Sequence, residues 1–251
     1  MKPAKSKITT QLKRSWVICK KDLFIYYLKE NVIVFGLLMP LFMFLSFAVN
    51  KGYSYQFLLP RLLGLVLYFT GSAIGPIIAP WESRMKTLER LLAAPVAIAA
   101  IIFGDVIASF MFGLLASVVV IVFSIFLLGF SILSWQLLAA IVLGSFCFAC
   151  IGLLISVPPT DRPSETMVIN TLIKFPLLFI SGVFVPIDQL GVLKSLAYFS
   201  PLTYVVDAAR TSYGLLGHFP VAASLFRLTV FSILLFLLAV FGHSRTMRKR
   251  V

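Results

Sequence analysis

Apolar residues run along this chain in long stretches with few charges, and six of the stretches reach membrane length as helices. Crossing about 30 Å of hydrocarbon at about 1.5 Å per helical residue takes about 20 residues. The runs are 31–50, 58–80, 101–130, 135–157, 167–185 and 223–242. A membrane barrel would show shorter, alternating segments. The pattern therefore predicts an all-α polytopic membrane protein with six transmembrane helices. Ahead of the first run, Ile8, Leu12, Trp16, Cys19 and Leu23 recur at helical spacing and form one stripe, with Lys13, Arg14, Lys20, Lys21 and Asp22 around much of the remainder. This predicts an amphipathic helix in the cytoplasmic interface, within a segment 1–30 that precedes a six-span domain, 31–251.

Two connections carry structure of their own. Between the second and third runs, Leu88, Leu91 and Leu92 share one face of a short helix at about 87–94 that Thr87 can cap and Pro95 closes. Three leucines on one side need burial, against the bundle or against a protein docking from the cytosol. Between the fifth and sixth runs, Pro186, Gly191, Pro201, Gly214, Gly217 and Pro220 interrupt the chain too often for a seventh span. Two short helices fit, 187–198 and 201–213, with Asp207 and Arg210 spaced to pair. Backbone of this kind is tolerated at membrane depth only inside protein or beside a water-filled cavity.

Composition agrees with a lipid solvent: 60% of the residues are hydrophobic, 12% are charged and the net charge is +13. Sixteen of the 22 Lys and Arg fall on the proposed inner side, which makes both termini cytoplasmic. The same charge meets anionic headgroups and offers no groove for nucleic acid. Lys174 lies within a span, where an ionisable group is either functional or a snorkelling side chain; Arg61 and Arg227, near outer helix ends, are expected to snorkel. Cys147 and Cys150 have a metal-like spacing in mid-membrane with no second pair, which reads as packing. Gly71 and Gly75 predict a close helix contact, within the chain or across a dimer. No phosphate-binding Gly-rich loop with Lys and Ser or Thr occurs, so ATP has no P-loop site in this chain. His218 and His243 fall on opposite sides of the membrane, which disfavours an intramembrane enzyme.

The run Glu82, Arg84, Thr87, Leu88, Glu89, Leu91, Leu92, Pro95 and Val96 resembles the connection written approximately Glu-Arg-x-x-Gly-Thr-Leu-Glu-x-Leu-x-x-x-Pro-Val in the permease subunits of ABC-2 type ATP-binding-cassette transporters. Gly104 stands where that family begins the following helix with Gly-Lys. A second match, Ser181, Gly182 and Pro186 followed by Pro201, Leu202, Thr203, Tyr204 and Arg210, resembles the family's small-Gly-x-x-x-Pro turn and Asn-Pro-Leu-Thr-Tyr segment. The resemblance covers essentially the whole chain. It departs at Ser200 and at Asp105, where the family has Asn and Lys. It departs also at Lys86, which replaces a Gly and suggests that the turn there needs no positive φ.

The resemblance implies a prokaryotic plasma-membrane permease of an ATP-driven exporter for an amphiphilic drug, lipid or glycan-type cargo. It implies two cytosolic nucleotide-binding ATPase subunits that bind ATP and Mg, and a second permease copy, identical or paralogous. Coupling to the ATPase is expected at Glu82, Arg84, Thr87, Leu88, Glu89, Arg90, Leu91 and Leu92. An outer gate is expected around Gly182, Pro186, Pro201, Tyr204, Asp207 and Arg210, and Lys174 and Asp105 are candidate path or inner-mouth charges. The alternatives are an ion-gradient-driven secondary transporter or channel, or an intramembrane enzyme; mid-span positions are almost uncharged, unlike those of gradient-driven transporters.

Overall fold

The computed structural model describes residues 8–48, 54–128 and 134–247, and every regular element among them is helical. Lys2, Lys5, Lys7, Lys51, Arg248, Lys249 and Arg250 of the basic pattern lie outside the described residues, as do the ends of the first and third expected spans.

The first helix, α1 (Ile8–Asp22), continues as a π-helical turn, Leu23–Tyr27. After a break at Leu28 and Lys29 the chain resumes as α2 (Glu30–Ile33), a second π segment, Val34–Leu38, and α3 (Met39–Ala48). The second expected span is two helices, α4 (Tyr55–Gly71) and α5 (Gly75–Arg84). Pro76, near the start of α5, cannot donate a backbone hydrogen bond, so the helix stops and restarts there. A short α6 (Thr87–Ala93) follows, then α7 (Ile98–Leu128), whose 31 residues extend about 46 Å at the usual rise. Ser134 caps α8 (Trp135–Ile155) by accepting from the Leu137 N–H at 3.2 Å. The chain closes with α9 (Pro163–Ile180), α10 (Lys194–Ala197), α11 (Pro201–Ser212) and α12 (Val221–Thr246).

Stretches long and apolar enough to cross a membrane are Gln56–Arg84, Ile98–Phe126, Trp135–Ile155 and Val221–Thr246, matching the second, third, fourth and sixth runs. The first run contains a shorter apolar helix, Gly36–Ser46, and the fifth falls on α9, which carries Glu165 and Lys174. In the bundle α8 packs on α4, α7, α11 and α12, while α5 packs on α8 and α9. The largest core cluster joins Leu62, Leu65 and Tyr68 of α4 with Phe148 of α8 and Leu202 and Val205 of α11.

Gly71 and Gly75 make the expected close contact within the chain. A Cβ on Gly75 would lie 2.9 Å from the Gly152 carbonyl carbon, and one on Gly71 would lie 3.0 Å from Phe148 Cβ. The N-terminal stripe divides. Cys19 is buried, with Ser15, Ile18 and Asp22 beside it, whereas Ile8, Leu12 and Trp16 point outward. The reason is that α1 and the π-helical turn after it pack along the first turns of α7, in the same direction, through Ser15 and Ile18 of α1 and Tyr27 of the turn.

Candidate functional site

The chain leaves α5 through Met85 and Lys86 and enters α6 at once. Lys86 has φ 55°, so the turn does require the left-handed region, contrary to the expectation from its replacing a Gly; the sharp reversal between α5 and α6 imposes it. Lys86, not Thr87, occupies the position before the helix. The Thr87 hydroxyl instead donates to the Glu82 carbonyl at 3.3 Å.

Leu88 is fully buried among Ile18, Ile101 and Met247, with Leu91 and Leu92 partly buried at the edge of that cluster. The leucine face therefore holds α6 to its own bundle. Arg84, Glu89 and Arg90 face outward together with Met85 and Lys86. Glu82 does not: it is 2% exposed and hydrogen-bonds the Lys21 ammonium, which also lies 3.0 Å from Asp22. Of the expected charged set, the outward members are thus Arg84, Glu89 and Arg90. Arg84 and Trp81 share a recess of about 440 Å³ with Asp161 and Arg162 of the α8–α9 connection and Pro163 and Ser164 at the start of α9.

Helix α1 grips this segment at both ends. At the entry, Lys21 holds Glu82. At the exit, the Arg14 guanidinium donates to the Pro95 carbonyl, and the Gln11 side-chain oxygen accepts from the Ala97 N–H at 3.1 Å. One turn on, Ser15 Oγ donates to the Ala100 carbonyl at 2.7 Å. Gly104 lies within α7 and does not begin it; a Cβ there would meet the Ser15 carbonyl at 2.8 Å and Ile18 Cβ at 2.9 Å, so the glycine admits α1. Asp105 follows it, 2% exposed, in a cluster where Lys21 feels the charges of Asp22, Glu82 and Asp105. Burial raises the Asp22 carboxyl above its ordinary range despite Lys21. Burial alone would lower the Lys21 ammonium, but Asp22 and Glu82 outweigh it and raise it. Neither α1 clamp shows in the sequence pattern, because Gln11, Arg14 and Lys21 all fall off the apolar stripe of the amphipathic helix.

At the opposite end, Gly182 has φ +83° and a Cβ there would strike Ile187 at 2.7 Å. Pro186 precedes a 3₁₀ turn, Ile187–Gln189. The first expected outer helix is therefore two 3₁₀ turns and the short α10, because Leu190 and Gly191 interrupt it. The second forms as expected from Pro201, and α11 is inserted into the bundle. Cβ atoms on Gly64 of α4 and Gly144 of α8 would strike Val206 at 2.6 Å and Val205 at 2.7 Å, so these glycines make its seat. The Tyr204 hydroxyl donates to the Tyr198 carbonyl at 2.7 Å. Asp207 does not pair with Arg210. Its carboxylate accepts from the His218 N–H at 2.6 Å, the Phe219 N–H at 3.1 Å and Ser224 Oγ at 3.2 Å, fastening α11 to the start of α12. Two converging backbone donors and a hydroxyl are a better match for a buried carboxylate than one partly exposed guanidinium.

Lys174 does not snorkel. It is 6% exposed, and its ammonium lies 3.5 Å from the Phe69 carbonyl and 5.2 Å from the Phe69 ring. Arg61 is likewise turned inward, stacked 3.5 Å over Phe57, and Arg227 lies 4.4 Å from the Phe219 ring. Both find aromatic faces close by, which the outward reading overlooked. Cys147 and Cys150 are buried thiols on α8. His218 lies in the loop before α12 and His243 in the last turn of that helix.

The ABC-2 type transporter family model matches residues 12–214. The chain is 30% identical over 169 residues to the inner membrane transport permease YadH of Escherichia coli, a match covering 66% of this chain and 65% of YadH. It is 23% identical over 171 residues to the probable multidrug ABC transporter permease YbhS of Escherichia coli, covering 67% of this chain and 45% of YbhS. The chain thus matches just under two thirds of the one relative's length and under half of the other's.

Proposed function

Because the chain belongs to the ABC-2 type transporter family, we propose that it is the permease subunit of an ATP-driven exporter in a prokaryotic plasma membrane, both termini cytoplasmic, coupled to two cytosolic ATPase subunits through α6. The observation that carries this reading is the disposition of α6 and the end of α5: the α6 leucines inward, Arg84 of α5 and Glu89 and Arg90 of α6 outward, and α1 bonded to both ends of the segment. A helix so held passes a push into α5 and α7 without first folding or unfolding. ATP and Mg would be bound by the ATPase subunits, and this chain would supply the path and the lever.

The cargo class is an amphiphilic drug, lipid or glycan moved outward, and a second permease copy completes the path. The likeness to the probable multidrug permease YbhS supports the drug option within that class. The α11 wedge and its Asp207 fastening would form the outer gate, with Gly182 and Pro186 shaping its approach.

The test is charge reversal at the outward face. Glu89→Lys with Arg90→Glu in the chain co-reconstituted with its ATPase should lower cargo-stimulated ATP hydrolysis at least tenfold, with insertion and gel-filtration behaviour unchanged. Wild-type stimulation in that variant would overturn the docking role. Transport by the purified chain alone, driven by an ion gradient, would overturn the assignment altogether.

A further inference from the structure

A recess of about 300 Å³ lies between α1 and the α6–α7 segment, floored by Ile18, Leu91 and Val96 and rimmed by Thr10, Lys13, Arg14 and the exposed Val17. Its floor is apolar and its rim carries two cations. Among the described residues no carboxylate pairs with either: Arg14 donates to a neutral carbonyl, that of Pro95. Leu12, Trp16 and Val17 on the same helix stand exposed, as side chains bordering lipid do. An apolar slot beneath an uncompensated positive rim, at the membrane edge, is complementary to a molecule with a hydrocarbon tail and an anionic head.

We infer that this recess binds one anionic phospholipid of the cytoplasmic leaflet, with its phosphate at Lys13 and Arg14 and the start of an acyl chain over Leu91 and Val96. The cytoplasmic leaflet is the anionic one. The location gives the lipid a role that a general basic patch lacks, since it would bridge α1 and the segment that α1 clamps. The leaflet follows from α6 facing the cytosol, as in the function proposed above. Lipid retention is read without any ATPase, so each idea can fail separately.

The experiment is native mass spectrometry of the purified full chain, delipidated and re-equilibrated with equimolar phosphatidylglycerol and phosphatidylcholine. One phosphatidylglycerol should be retained in preference to phosphatidylcholine. Lys13→Gln, which leaves the Arg14 bond to Pro95 intact, should weaken that retention about fivefold, and a charge-conserving Lys13→Arg should keep it. Leu91→Trp, which fills the floor with both cations present, should also release the lipid. Equal retention of the two lipids by the wild type would overturn the inference. So would unchanged retention in Lys13→Gln, or displacement by millimolar inorganic phosphate, which would make the recess a site for free anions.

Discussion

Substituting Gly75 by alanine tests the helix crossing from which α5 leads into α6. The new methyl carbon would lie 2.9 Å from the Gly152 carbonyl carbon and 3.0 Å from the Leu153 nitrogen, both backbone atoms that cannot rotate aside. Restoring ordinary contact means parting α5 from α8 locally by about half an ångström, in a close-packed interior that resists it. Overpacking of this kind costs about 1–3 kcal/mol. Gly75 is the first residue of α5, so alanine's better helix propensity recovers little of that. The expected net loss is about 1–2 kcal/mol, or about 5–30-fold in the folding equilibrium. Gly36→Ala is the control, because its methyl would meet Thr70 Cγ2 at 3.4 Å and a Phe112 ring carbon at 3.6 Å, side-chain contacts of ordinary length. Reversible unfolding in mixed lipid and dodecyl sulfate micelles, followed by circular dichroism, measures both. A Gly75→Ala variant within about 0.5 kcal/mol of wild type, or a Gly36→Ala variant equally damaged, would refute the reasoning.

Three further outcomes are expected. Asp207→Asn can keep only one acceptor oxygen for the donors of His218, Phe219 and Ser224, and should lose about 1–3 kcal/mol locally. Hydrogen exchange over 217–224 should accelerate in it, and unchanged protection would contradict the fastening. Lys86→Gly removes a left-handed non-glycine residue worth about 1–2 kcal/mol against about 0.5–1 kcal/mol of added chain entropy. It should therefore leave stability unchanged or raised, whereas Lys86→Val should lower it; the same micelle titration decides. The Asp188 carboxyl is held below its ordinary value of 3.8 by the hydrogen bond from Lys194, with His218 adding to it. Its contribution is present above that value and lost as pH falls through the lower folded value. Exchange over 187–197 should rise in acid below about pH 4, and Asp188→Asn should remove that acid dependence.

Hydrophobic run length gave away the helices around α4, α7, α8 and α12, since a lipid-facing or bundle-facing span needs nothing subtler than uninterrupted apolar residues. The break at Ser72 to Ile74 did not show because the flanking residues stay apolar across it, although Pro76 was the signal. Leucine spacing revealed α6 but not which way its apolar face turns, as burial against Ile18 and Ile101 and burial against another protein leave the same pattern. The Asp207 partners were hidden for a different reason. Helical spacing offers Arg210, while the real donors are backbone groups 11 and 12 residues away, on the loop that closes over α11. Glycines at 64 and 144 carry the seat of α11, yet in sequence a glycine in a span signals close approach without naming the partner.

The inward turn of the leucines changes which substitutions are informative about coupling. Leu88 joins α6 to α1, α7 and the end of α12, so a polar residue there damages the mounting before it says anything about docking. Leu91 has two neighbours to lose, the cluster around Leu88 and the floor of the recess beneath Lys13 and Arg14. Glu89 and Arg90 touch neither and stand exposed. A lever must be stiffly attached on one side and free on the other, and under the function proposed above α6 would meet both needs within its seven residues. Loss of coupling at Glu89 and Arg90 with intact folding therefore reports on docking, whereas loss at the leucines reports on the attachment.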